Sequence, residues 1–178
     1  LHGCKPLTVT FTSYTTNVAS MTWDFSDGYT VKQAGGTITH TYEHPGAYTP
    51  KVLFEDANGC KALSGGLDEI KVDAVEPDFY GDAPCQFNTV TFRDTTHTYF
   101  SPVVIWHWTF DDGTTSNKQY PKHLYGPPGS YPVTLYAENQ WGCKDSITKD
   151  IIIHGLPEIS AGGDTIVCLS DSAHLQAS

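Results

Sequence analysis

The 178-residue sequence is poor in cations: ten lysines and arginines stand against twenty acids, and Arg93 is the single arginine. A formal net charge of −10 offers no basic stripe to neutralise phosphates, which excludes nucleic acid as a partner. Long apolar runs are missing too. The longest, Val103-Val104-Ile105-Trp106, falls far short of the roughly 20 residues a spanning helix needs, so no membrane insertion is expected. The sequence has no HExxH, P-loop or GxGxxG motif and no Gly-x-Ser-x-Gly nucleophile elbow. No CxxC or CxH spacing supports zinc. Neither an initiator methionine nor the charged start and apolar stretch of a signal peptide opens it, so it reads as a fragment or mature segment of something longer. The cysteines are five, an odd number.

What is present is repetition. Cys4-Lys5-Pro6-Leu7-Thr8-Val9-Thr10-Phe11 recurs 81 residues later as Cys85-Gln86-Phe87-Asn88-Thr89-Val90-Thr91-Phe92. Trp23-Asp24-Phe25-Ser26-Asp27-Gly28 returns as Trp108-Thr109-Phe110-Asp111-Asp112-Gly113. His40-Thr41-Tyr42 and Pro45-Gly46-Ala47-Tyr48 return as His123-Leu124-Tyr125 and Pro128-Gly129-Ser130-Tyr131, and Gly59-Cys60-Lys61 as Gly142-Cys143-Lys144. Offsets that drift by a few residues mean small loop insertions between shared strands, in a tandem array of domains. A third copy begins at the end, where Cys168 follows Cys85 by 83 residues. Proline interrupts the pattern at Asp73–Pro77 and His154–Pro157. These breaks set domains at 1–74, 75–155 and a truncated 156–178, the first lacking its opening strand.

Period-two alternation dominates, and 39% hydrophobic residues suffice for a packed core. Tyr131, Val133, Leu135 and Ala137 point one way, as do Tyr48, Pro50, Val52 and Phe54 in the first copy. Met21, Trp23 and Phe25 share a face, and so do Trp106, Trp108 and Phe110. Asp27-Gly28 and Asp112-Gly113 are turn dipeptides that suit hairpins. About seven short strands per unit, with a turn every 8–12 residues, describe an all-β fold of tandem immunoglobulin-like β-sandwiches.

These landmarks resemble the polycystic-kidney-disease (PKD) repeat family. Its pattern is a Trp-Asp-Phe-Gly-Asp-Gly-like turn, a His-x-Tyr segment, and Pro-Gly-x-Tyr leading into a valine-rich strand. Ser26 and Asp111 replace the family's first glycine, and Thr109 its first aspartate. The resemblance implies an extracellular β-sandwich used as a spacer or binding module. A cysteine before the first core strand and Asn-Gly-Cys after the long strand look like repeats in large surface adhesins and secreted proteins of gliding bacteria.

The family layout implies one bridge within each copy, Cys4–Cys60 and Cys85–Cys143, and an oxidising compartment. Cys168 is then unpaired in this segment, its partner belonging to the third copy.

Candidate chemistry is thin. A Ser26–His40–Asp27 triad can be imagined, but His40 and His123 sit in the His-x-Tyr strand motif, where a hydrogen-bonded structural role is expected. One active site also rarely needs two equivalent copies, so no enzyme is expected. Calcium is the best cofactor candidate, through Asp24 and Asp27, or Asp111 and Asp112, with Glu76 and Asp78 from the linker. Calcium takes 6–8 oxygens, however, and no loop shows a dense Asp/Asn array; turn chemistry is the preferred reading. Trp141, in a turn where the first copy has Asn58, is the candidate ligand-contacting aromatic.

The expected role is a non-catalytic structural and adhesive segment that extends and displays binding regions at a bacterial cell surface, within a large adhesin or filament. Its partners would be neighbouring repeats of the same chain, surface polysaccharide or other cell-surface proteins. The alternative is an accessory polysaccharide- or collagen-binding module of a secreted hydrolase.

Overall fold

The computed structural model describes residues 1–15, 17–64, 68–82 and 85–157, and every regular element among them is a strand. Cys168 and the third copy, past Pro157, lie outside the described residues. The first repeat holds β1 (His2–Cys4), β2 (Leu7–Thr12), β3 (Ser20–Asp24), β4 (Thr30–Gln33), β5 (Thr37–Tyr42), β6 (Gly46–Tyr48), β7 (Lys51–Glu55), β8 (Lys61–Ser64) and β9 (Ile70–Asp73). The second holds β10 (Val75–Glu76), β11 (Phe79–Gly81), β12 (Thr89–Asp94), β13 (His97–Thr98), β14 (Val103–Thr109), β15 (Thr115–Ser116), β16 (Lys122–Leu124), β17 (Gly129–Asn139) and β18 (Lys144–Ile153).

Each repeat is a β-sandwich built to one plan. A four-stranded sheet runs β4-β3-β7-β8 in the first and β15-β14-β17-β18 in the second. The opposing layer pairs β2 with β5, and β12 with β16; β11 flanks β12 and has no partner-strand counterpart beside β2 among the described residues. The long β17 and β18 are continuous where the first repeat has β6–β7 and β8–β9. Pro50 stands at the break between β6 and β7, where it removes an N–H from the ladder; the second repeat has Val133 there.

The alternation seen in sequence sets the two cores. Val9, Phe11, Met21, Trp23, Phe25, Tyr42, Val52, Ile70 and Val72 fill the first. Phe79, Val90, Phe92, Trp108, Phe110, Tyr125, Val133, Leu135 and Ile153 fill the second. Trp106 is half-buried against the second core and donates its indole N–H to Asp94 Oδ2 at 2.7 Å. Outward threonines face each other across β2 and β5, Thr8 and Thr41 at 2.8 Å, as β-branched residues do on a solvated pleat.

A third, smaller cluster belongs to both repeats. Val75, Ala137 and Cys143 are buried in it, with Cys4, Val103 and Trp141 packed against them. It sits where the end of β9 meets the hairpin between β17 and β18.

Candidate functional site

Both Asp-Gly turns hold their carboxylates in local hydrogen bonds. Asp24 Oδ1 accepts from the Ser26 amide at 2.9 Å and Asp27 Oδ1 from the Tyr29 amide at 3.0 Å. Asp27 Oδ2 meets His40 Nε2 at 2.6 Å, and the imidazole lies flat on Phe25, ring centroids 4.0 Å apart. The second repeat repeats this more loosely. Asp112 accepts from the Thr114 amide and hydroxyl, and its Oδ2 is 3.5 Å from His123 Nε2, whose ring stacks on Phe110 at 4.2 Å. Burial pushes the Asp27 carboxyl up, but the His40 hydrogen bond, the Tyr29 amide and the His40 charge outweigh it and hold it below its ordinary value. The Thr114 hydroxyl and amide do the same for Asp112.

These carboxylates close their own turns, which is the turn chemistry expected of Asp-Gly hairpins; Gly28 and Gly113 take the positive φ of 92° and 78° those turns require. Asp111, Asp112 and His123 do bring one ligand atom each within 4.8 Å of one another, but three donors fall well short of a calcium shell. Nor is the imagined triad assembled. Asp27 and His40 meet, while the Ser26 hydroxyl donates to the Thr49 carbonyl at 2.5 Å, on a residue of positive φ.

The most elaborated polar site lies at the junction of the repeats. Asp73, the last residue of β9, is fully buried. Its Oδ1 accepts from the amides of Ala74 at 2.8 Å, Tyr99 at 3.0 Å and Phe100 at 3.3 Å. Its Oδ2 accepts from the Ser101 amide and from Asn139 Nδ2, both at 2.9 Å. Asn139, 1% exposed, passes the connection on: its Oδ1 accepts from the amides of Trp141 and Cys143 at 3.0 and 2.9 Å. Cys143 in turn is bonded to Cys4, Cα atoms 5.3 Å apart. A carboxylate of the first repeat thus organises a loop and a hairpin of the second, and a disulfide closes the circuit. Burial of a carboxylate is tolerable only with such a full set of donors.

This pairing corrects the intra-repeat bridges expected from the family layout. Cys143 immediately precedes β18, whereas Cys85 bridges to His154, just past its other end. A ten-residue strand spans about 34 Å, and a disulfide needs Cα atoms within about 7 Å. In the first repeat Cys60 precedes β8 while Cys4 pairs with Asp73 at the end of β9. The two cysteines of one repeat therefore occupy opposite poles, and tandem order brings the trailing pole of one repeat to the hairpin pole of the next. Among the described residues, Cys60 and Cys85 are free and exposed.

Trp141 also has a different setting from the free loop aromatic expected. Its ring lies 4.4 Å from His2 of the first repeat and 6.1 Å from Phe100, near-parallel to the latter, and it packs on the junction cluster. Asp73 and Asn139 escaped the sequence reading. An Asp or Asn four residues before the hairpin cysteine is visible in both copies (Asp56, Asn139), but Asp73 aligns with His154, so repetition gave no signal for it.

The family model of the PKD domain matches this sequence twice, over residues 3–72 and 77–153. The chain belongs to the PKD domain family. Among curated relatives of these PKD repeats, a microbial collagenase of Vibrio alginolyticus is 36% identical over 59 residues, 33% of this chain and 7% of the collagenase. The chain thus matches only a small part of that relative's length. The solved PKD1 domain of the Vibrio cholerae metalloprotease PrtV is 26% identical, with a TM-score of 0.42, over 46% of this chain and 98% of that domain. The PKD1 domain of Vibrio anguillarum Epp is 20% identical, TM-score 0.43, over 47% and 96%. Tandem PKD β-sandwiches of this kind are structural or binding modules, of a type found in extracellular proteins. Among the described residues no helix is long and apolar enough to cross a membrane.

Proposed function

We propose that this PKD pair is a non-catalytic spacer that holds and displays neighbouring regions at a bacterial cell surface, as part of a large adhesin or filament. The observation that carries this reading is the junction: a buried Asp73 receiving five N–H groups, with a disulfide beside it. Evolution of a covalent and fully hydrogen-bonded joint is understandable if the relative placement of repeats is what the protein supplies. The acidic surface keeps such an array soluble and self-repelling.

A second reading, an accessory module that brings a secreted hydrolase to collagen or polysaccharide, draws on the collagenase relative. Co-sedimentation with insoluble collagen decides between them. The spacer reading expects the oxidised chain to stay in the supernatant at every concentration. Saturable retention on collagen overturns it in favour of the accessory module.

A further inference from the structure

Two exposed thiols remain once the junction is accounted for, and each sits in a copy of a place where the structure already contains a bond. Cys85 is to the second repeat what Cys4 is to the first. Cys4 pairs in parallel with Asp73 and the next amide, Lys5 N, donates to the Asp73 carbonyl at 2.9 Å. Cys85 bridges in parallel to His154, and Gln86 N donates to the His154 carbonyl at 2.8 Å. Cys60 is likewise the counterpart of Cys143. Asn139 Oδ1 accepts from the amides two and four residues on, and its own amide donates to the Cys143 carbonyl at 2.8 Å. Asp56 Oδ1 accepts from Asn58 and Cys60 at 2.9 and 2.8 Å, and the Asp56 amide donates to the Cys60 carbonyl at 3.0 Å. Gly59 and Gly142, each just before its cysteine, carry the same positive φ, 81° and 80°.

We infer that Cys85 and Cys60 are the two half-sites of further inter-repeat disulfides: Cys85 takes the hairpin cysteine of a following PKD repeat, and Cys60 the first-strand cysteine of a preceding one. The second observation that lifts these thiols above lone exposed cysteines is the Cys4–Cys143 bond, which joins the equivalent pair of positions in the same chain. Neither thiol can meet the other within one chain's joint, because Cys60 lies at the hairpin pole of the first repeat and Cys85 at the trailing pole of the second. The result is a covalent ladder in which each repeat is fastened to both neighbours.

The residues around the half-sites specify the partner further. At the closed junction the strand end offers a carboxylate, Asp73, and the hairpin an amide donor, Asn139. At the open poles the strand end offers an imidazole, His154, and the hairpin an acid, Asp56. A carboxylate at the strand end of a preceding repeat would face Asp56 as a like charge, so the partner at that pole carries a hydrogen-bond donor there instead. The joints are therefore not interchangeable, which fixes the order in which repeats can be fastened.

Each bond forms by two exchanges with a disulfide oxidant, small-molecule or protein. One protein thiolate attacks that disulfide and expels a thiolate; the second protein thiolate then attacks the mixed disulfide at the protein sulfur and expels the other. Each protein sulfur gives up one electron, the oxidant takes up both, and the two protons end on its thiolates.

The inference rests on the spacer reading for its supply of flanking repeats, and its test reads bonds, not ligands. Native protein is treated with alkylating reagent before unfolding, digested without reduction and mapped by mass spectrometry. The expected result is Cys4 joined to Cys143, Cys85 joined to the hairpin cysteine of a following PKD repeat, Cys60 joined to the first-strand cysteine of a preceding one, and alkylation lost at both. Recovery of Cys60 or Cys85 as alkylated thiols, or joined to each other, overturns the ladder and leaves the single stapled joint standing. Retention on collagen alongside a complete ladder would instead overturn the spacer reading alone.

Discussion

The two repeats share a core almost residue for residue, yet their hairpins meet different fates. In the second, Asn139 and Cys143 are buried against the first repeat; in the first, Asp56 and Cys60 hold the same backbone turn with no other repeat against them among the described residues. The turn geometry is therefore a property of the hairpin itself. What contact adds is partner chemistry: an amide that can donate to Asp73, and a thiol that has become half of a disulfide. The comparison separates what folds a PKD repeat from what joins two of them.

The largest effect is expected from removing the bond that distinguishes the hairpins. For a sequence separation of 139 residues, the chain-entropy model gives about 5 kcal/mol, lowered by any residual structure of the reduced unfolded chain. Replacing Cys4 and Cys143 together by serine should lower the denaturant midpoint of the oxidised chain by a large margin. Cys60→Ser should leave it unchanged. Equal midpoints for all three proteins would mean the joint adds nothing to stability. Next comes Asp73→Ala, which strands buried N–H donors from two segments of the second repeat. We expect a loss of about 3 kcal/mol in chemical denaturation, with Asp73→Asn intermediate because the amide keeps one acceptor.

A smaller and sharper change swaps the hairpins' chemistry. Asn139→Asp puts a carboxylate against Asp73 where a donor stood, and should cost about 2 kcal/mol while keeping the turn. The reverse exchange, Asp56→Asn, should be nearly neutral, since the amide oxygen can still accept from Asn58 and Cys60. If both substitutions cost the same, the difference between the hairpins lies in the turn and not in the joint.

The sandwich was legible in the sequence because alternation reports which side chains face inward. Met21, Trp23 and Phe25, and Val133, Leu135 and Ala137, are buried as their spacing required. Asp27-Gly28 and Asp112-Gly113 were legible as turns because positive φ and a carboxylate next to free amides leave a local signature. The joint was not. Cys4 and Cys143 are nearer to other cysteines in sequence than to each other, and only the length of β18 shows that an intra-repeat bond cannot close. Asp73 reads as a linker acid; its burial comes from a loop, Tyr99 to Ser101, that has no periodic pattern to announce it. Trp141 looked like a loop platform for the same reason, since its neighbour His2 lies in the other repeat.

The smallest expected effect compares the two acidic turns. Asp27 and Asp112 are both held below the ordinary carboxyl value of 3.8, so near that value the unfolded chain binds more protons than the folded one. Their stabilisation is present above that value and is lost as the pH falls through the still lower folded one. Asp27, at 2.6 Å from an imidazole only 10% exposed, has more to lose than Asp112, which stands 3.5 Å from His123 and is half exposed. Melting temperature measured from pH 6 down to pH 3 should therefore drop less steeply in Asp27→Asn than in the parent. The slope for Asp112→Asn should stay close to the parent's. A parent-like slope for Asp27→Asn would show that the His40 contact is a packing feature, set by the stack on Phe25, with no electrostatic share in the stability of the first repeat.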